Sequence, residues 1–170
     1  MTMKSHLYLK SLFLGLFFLL TPQARGQHDF SVTAGLGYPE LLNLGVRYQV
    51  GQSQLGLHVG SGFGDEEDND FSVGADYFYH FEGFSHLSTR RTWYGRIGLY
   101  YYSSKQMYEE FQYLLLAPRL GKEFNLSPRI GMTADAGISQ ILSRLKEDPV
   151  YIDAKNKTTL SLGFSIFYRL

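Results

Sequence analysis

The chain of 170 residues has no cysteine, one tryptophan, five prolines and no net charge, with 16 Lys and Arg against 16 Asp and Glu. Without cysteine, disulfide scaffolds and thiolate metal sites are excluded, and an exported domain of this size must be held by its packing alone. Without a basic excess, nothing in the charge balance points to nucleic acid or to a polybasic lipid site. Long helical apolar patterns are also missing, which excludes a helical bundle and leaves the short-period patterns of an all-β chain.

One long apolar run exists, Ser11 to Leu20, preceded by Lys4 and Lys10 and followed by Thr21-Pro22-Gln23-Ala24-Arg25-Gly26. A basic start, an apolar middle and small residues before a cut are the three parts of a secretory signal peptide. The run is shorter than the roughly 20 apolar residues of a spanning helix. The pattern predicts a signal peptide over residues 1–26, cleaved after Gly26, and a single domain over residues 27–170. Removal takes away Lys4, Lys10 and Arg25 and leaves a formal charge of −3.

Glycine (18), tyrosine (13) and phenylalanine (13) are plentiful, and in steps of two the mature sequence resolves into eight alternating segments. The first spans Asp29 to Tyr38 and ends at Pro39-Glu40; the second spans Leu41 to Val50 and turns at Gly51-Gln52. The third carries Leu55, Leu57, Val59 and Phe63 on one face, and the fourth runs from Phe71 to Phe81. The fifth begins at Trp93, the sixth covers Tyr113 to Phe124, the seventh begins at Ile130 after the turn Asn125 to Pro128, and the eighth runs from Thr159 to the carboxyl end. Each is near the 9 to 11 residues or so that a tilted strand needs to cross a bilayer. Pro118 removes one ladder donor, so a bulge or a weakened pair is expected there.

The polar parity of these segments is Gly, Ser, Thr and isolated charges, not the Lys and Glu of a strand face in water. Small residues suit the crowded interior of an eight-stranded barrel. The apolar parity carries almost no charge; Lys122 is the exception, beside a turn where its stem can snorkel. Phe78, Tyr94, Tyr100 and Tyr102 break the polar parity. If the first strand rises from the periplasm, Phe30, Tyr48, Tyr79, Phe81, Trp93, Phe124 and Tyr168 form one aromatic girdle and Tyr38, Phe63, Phe71 and Tyr101 the other. The fold expected is an all-β, eight-stranded, antiparallel, up-and-down transmembrane β-barrel.

With this pattern, the mature chain resembles the small outer-membrane β-barrel proteins of the OmpA/OmpX transmembrane type. Phe164-Ser165-Ile166-Phe167-Tyr168-Arg169-Leu170 looks like the terminal strand signal read by the barrel-assembly machinery, although Leu170 stands where the commonest form has an aromatic residue. The resemblance implies a multi-pass outer-membrane location in a Gram-negative envelope, contact with outer-membrane lipid and lipopolysaccharide, and a monomer. Members of such families have unrelated roles.

Seven charges fall on the inward parity: Arg47, Asp76, Arg96, Arg119, Glu123, Asp135 and Arg169. Their near-balanced signs predict ion pairs across the lumen, because buried charges must be paired. A narrow ion path is the functional alternative, disfavoured by Arg-sized side chains inside eight strands. Asp65-Glu66-Glu67-Asp68-Asn69-Asp70 clusters oxygen ligands but lacks the spacing and glycine of a calcium loop, and reads as a solvated segment. His86-Leu87-Ser88 has the His-x-Ser order of outer-membrane lipid A deacylases, but no carboxylate follows until Glu109 and Glu110, so a base without an orienting group remains. His58 and His80 lie on inward faces without a third ligand, which leaves lumen hydrogen bonding as their role. No catalytic, cofactor-binding or metal-binding set emerges, and the expectation is a non-enzymatic barrel acting through the loops Gly64 to Asp70, Ser103 to Phe111 and Gln140 to Lys157. A lipid-modifying enzyme and a soluble, lipocalin-like periplasmic carrier are the alternatives.

Overall fold

The computed structural model describes residues 30–62, 68–106, 109–146 and 158–170. The signal-peptide segment, Phe63 and residues 64–67 of the acidic loop lie outside them. Eight strands follow in order: β1 (Phe30–Tyr38), β2 (Leu41–Val50), β3 (Ser53–Ser61), β4 (Asp68–Glu82), β5 (Trp93–Gln106), β6 (Glu109–Asn125), β7 (Ile130–Lys146) and β8 (Thr158–Arg169). Each pairs antiparallel with its neighbour in sequence, and β1 pairs with β8, which closes the barrel.

Closure requires the strands to tilt and stagger. The stagger is visible along level partners: Val32, Val46, Leu57, Ala75, Leu99, Leu116, Gln140 and Thr158 lie in one continuous row around the wall. The row starts low on β1 and finishes on β8 beyond Leu162, the partner of Tyr38 at the top of β1.

Burial follows the period of two, but inverted relative to a water-soluble protein. The apolar parity points outward, with Leu44, Leu57, Leu55 and Ile97 all more than half exposed. The inward parity holds the buried Ser31, Thr33, Arg47, Asp76, Arg96, Arg119 and Asp135. Four large side chains, Phe78, Tyr94, Tyr100 and Leu115, are at most 2% exposed and fill the lumen beside these polar groups. Three of the aromatic exceptions read from the polar parity thus have a physical place: Phe78, Tyr94 and Tyr100 each lie over a lumen glycine, while Tyr102 is half-buried higher on β5. A Cβ on Gly98 would come within 2.1 Å of the Tyr100 hydroxyl, and one on Gly121 within 2.5 Å of the Tyr94 ring.

Four strands run beyond their sequence limits; β4 begins at Asp68, so Asp68 to Asp70 of the segment expected as an acidic loop pair with β5 instead. The segment Ser103 to Phe111, expected as a loop, is mostly ladder, since β5 continues to Gln106 and β6 begins at Glu109. Gln140 to Lys146 likewise belongs to β7, while residues 147–157 lie outside the described residues. Beyond the apolar belt both faces of a ladder can be polar, so pairing persists where alternation, the sequence signal, has stopped. At Pro118 the β5 side stays in register, opposite Ile97. On the β7 side the ladder is interrupted at Ala117 and Pro118 and resumes in the same register, while the register shifts fall higher, between Gln112 and Tyr113 and between Leu114 and Leu115. The weakened pair is therefore present and the bulges are elsewhere.

Turns at one end of the barrel, the proximal end where β1 starts and β8 finishes, are short except for the connection from Gly83 to Thr92. Gly51 opens the β2–β3 turn at φ 60°, a left-handed conformation open to glycine at little cost. At the opposite, distal end Leu41 holds φ 62° in the tight β1–β2 turn, a conformation that costs a β-carbon residue roughly 1 to 3 kcal/mol.

Candidate functional site

That strained turn directs Glu40 into the barrel, where it is 2% exposed. Its carboxylate receives Arg119 at 2.7 and 2.5 Å and Arg96 at 2.7 Å. Arg96 also forks onto Asp76, with both bonds at 2.9 Å, and reaches Asp135 at 3.3 Å. Arg119 closes the ring by donating to Asp135 at 2.8 Å and to Ser161 Oγ at 2.6 Å. Tyr100 donates its hydroxyl to Asp76 at 2.7 Å, Tyr94 donates to Asp135 at 2.8 Å, and His58 Nδ1 lies 3.0 Å from Asp76.

Three carboxylates thus meet two arginines inside this network. A third arginine, Arg47, donates to Ser165 Oγ at 3.0 Å and balances the charge. Its guanidinium lies 4.6 Å from the Phe78 ring centre, and that of Arg96 lies 5.1 Å from it, so one ring serves two cations. Charges in so dry a place are tolerated only when paired and hydrogen-bonded. One interior void, bordered by Glu40, Arg47, Arg96 and Asp135, measures about 10 Å³, room for at most a single water.

A second, smaller cluster seals the proximal end. Glu123 accepts from Arg90 at 2.8 Å and from Arg169 at 2.6 Å. Arg90 also donates to Gln49, and Arg169 to Asn125 and, at 2.8 Å, to the Pro128 carbonyl, so one carboxylate ties the β2, β4–β5, β6–β7 and β8 chain segments together. Above it lies a bowl of about 590 Å³ whose wall includes Gln49, the run Phe84 to Arg90, Pro128 and Arg169.

All seven inward charges expected from the sequence are buried; six are ion-paired in these clusters, and Arg47 instead meets Ser165 Oγ and the Phe78 ring. Glu40 and Arg90 were missed because both lie in connections, where strand parity assigns no direction; the one signal was the tight spacing of Pro39-Glu40 between two strands. His58 and His80 are not brought together: His58 stands level with Gly74, six residues from His80 along β4. His80 Nδ1 donates to the Arg91 carbonyl at 2.7 Å, since a carbonyl can only accept. Nor do His86 and Ser88 form a base and nucleophile. The His86 ring packs edge-on against Phe84 at 4.8 Å, and the Ser88 hydroxyl accepts the Arg90 backbone N–H at 3.2 Å. Among the described residues no group of three His, Cys, Asp or Glu side chains could hold a metal ion.

A sealed tube, apolar outside and ion-paired inside, defines the class: an eight-stranded antiparallel β-barrel with the architecture implied by the OmpA/OmpX resemblance. No protein-family model matches the sequence, and no curated protein matches it. Among solved structures, the chain is similar to the crystal structure of Neisserial surface protein A (NspA), at 10% identity and a TM-score of 0.47, over 83% of this chain and 94% of that one.

Proposed function

We propose that the protein is an integral outer-membrane barrel without enzymatic activity, a rigid anchor that presents its distal connections at the cell surface. The proximal end then faces the periplasm, and lipid and lipopolysaccharide surround the wall. The observation that carries this reading is the pairing of opposites: a belt of exposed Leu, Ile, Val and aromatic side chains outside, and inside it a lumen filled by Tyr94, Tyr100, Phe78 and linked charges. Hydrocarbon demands the first, because a lipid-facing Lys or Arg at the midplane costs about 2 to 4 kcal/mol. A carrier needs an empty lumen, and a channel needs a continuous aqueous path; the filled interior argues against both. The distal segments Gly64 to Asp70, Ser103 to Phe111 and Gln140 to Lys157, carried on the ends of β4 to β7, are the parts that would make surface contacts.

Further parts of the same proposal are a monomeric state, export by the segment 1–26, and delivery to the barrel-assembly machinery through Phe164 to Leu170 of the closing strand. Heat-modifiable migration on a gel, combined with membrane fractionation, tests the reading. A closed barrel in the outer-membrane fraction should migrate faster before boiling than after. A chain beginning at Gln27 that stays monomeric in water without detergent would overturn it.

A further inference from the structure

Lys122 is the cation that the outward face does not explain. It lies on β6 three residues from Asn125, on the lipid-facing parity, level with Trp93 on β5 and Ala134 on β7. Its ammonium is 5.2 Å from the Trp93 ring centre and 5.4 Å from that of Phe124, both exposed rings of the proximal girdle. No carboxylate pairs with it among the described residues. The two quadrupoles hold the cation but leave its charge uncompensated, and an ionisable group at membrane depth calls for a partner.

We propose that Lys122, with Trp93 and Phe124, forms a binding site for the phosphate of an anionic phospholipid in the leaflet at the proximal end. The inference rests on the membrane reading above. The geometry supplies each element the ligand needs: a cation at the depth where a strand ends, an amphipathic indole beside it, and apolar neighbours for the acyl chains. Leu120, two residues deeper on the same face, is 54% exposed, and Phe164, level with Ala134 on β8, is also exposed. Other cations at this end are engaged differently. Arg90 and Arg169 are buried on Glu123, Arg91 donates to the Phe81 carbonyl, and Arg129 donates to the Tyr168 hydroxyl at 3.3 Å.

Trp93 is the chain's single tryptophan, so its fluorescence reports this site alone. The protein is folded into phosphatidylcholine vesicles holding a small fraction of phosphatidylglycerol whose acyl chains carry bromine, which quenches indole on contact. The expected result is quenching that reflects about fivefold enrichment of the brominated lipid over its mole fraction. In K122Q the enrichment should vanish, in K122R it should persist, and R129Q should leave it unchanged. Quenching that follows mole fraction in the unaltered protein, or an equal loss in R129Q, overturns the site. A parallel sample made entirely of brominated phosphatidylcholine separates the two readings: absence of quenching there means that the barrel wall does not meet lipid, and removes the membrane reading as well.

Discussion

Arg119 spans the lumen from β6 to grip both carboxylate oxygens of Glu40, which the β1–β2 turn folds inward. The contact joins residues separated by 79 positions and fixes the distal turn to the far wall. Glu40 also serves Arg96, so its removal takes one carboxylate from two buried guanidiniums and leaves Asp76 and Asp135 to face Arg47, Arg96 and Arg119. E40A should therefore destabilise the barrel by about 3 to 5 kcal/mol, the cost of breaking a buried ion pair by removing one partner. Urea unfolding in detergent micelles, followed by the heat-modifiable band, measures it. The exposed E82Q should stay within about 0.5 kcal/mol of the parent, and equal stability of E40A and E82Q would contradict the network.

Much of this arrangement was legible in the sequence. Parity placed Asp76, Arg96, Arg119 and Asp135 inside because they fall on the side rich in Gly, Ser and Thr while the other side carries almost no charge, and the limits of β2 fell at Leu41 and Val50 as the alternation ended. Glu40 and Arg90 were not legible, since a turn has no parity. The distal ends of β4, β5, β6 and β7 were not legible either, because the backbone pairing continues there after the strict alternation of apolar and polar residues has stopped. For Pro118 the missing N–H was legible and the weakened pair is present on the β7 side, whereas the register shifts near Tyr113 and Leu115 carry no signal in the alternation.

Two glycines separate close approach from open space. At Gly60 a Cβ would stand 1.9 Å from the backbone oxygen of Glu40, whereas at Gly95 nothing lies within 4 Å. G60A must push the distal turn away and loosen Glu40 with it, at a cost of about 1 to 3 kcal/mol for overpacking. G95A should be neutral or slightly stabilising, since alanine lowers the entropy of the unfolded chain. Parallel unfolding curves decide; comparable destabilisation at both sites would mean that the turn is not packed as described.

The filled lumen makes an electrical prediction. Tyr94 and Tyr100 are wholly buried in the lumen beside the ion pairs, which leaves little room for water to pass. Purified protein in a planar bilayer should give no stable conductance steps above the baseline. Steps that persist across preparations and change with Y100A would show that the interior opens in the membrane.

Leu57 discriminates most sharply between lipid and water outside the wall. It stands mid-strand on β3, between Val46 and Ala75 on the neighbouring strands, and is 62% exposed. On a soluble barrel L57R would change stability by about 0.5 kcal/mol at most, since surface substitutions away from special features do little. Against hydrocarbon the same arginine costs about 2 to 4 kcal/mol near the midplane. The outward charge also cannot be rescued by the lumen carboxylates, because a residue of this parity faces away from Asp76. Unfolding from lipid vesicles should therefore show the larger loss in L57R and a much smaller one in K122R, where a cation already stands near the rim. Equal, small effects at the two positions would place water, not lipid, against β3.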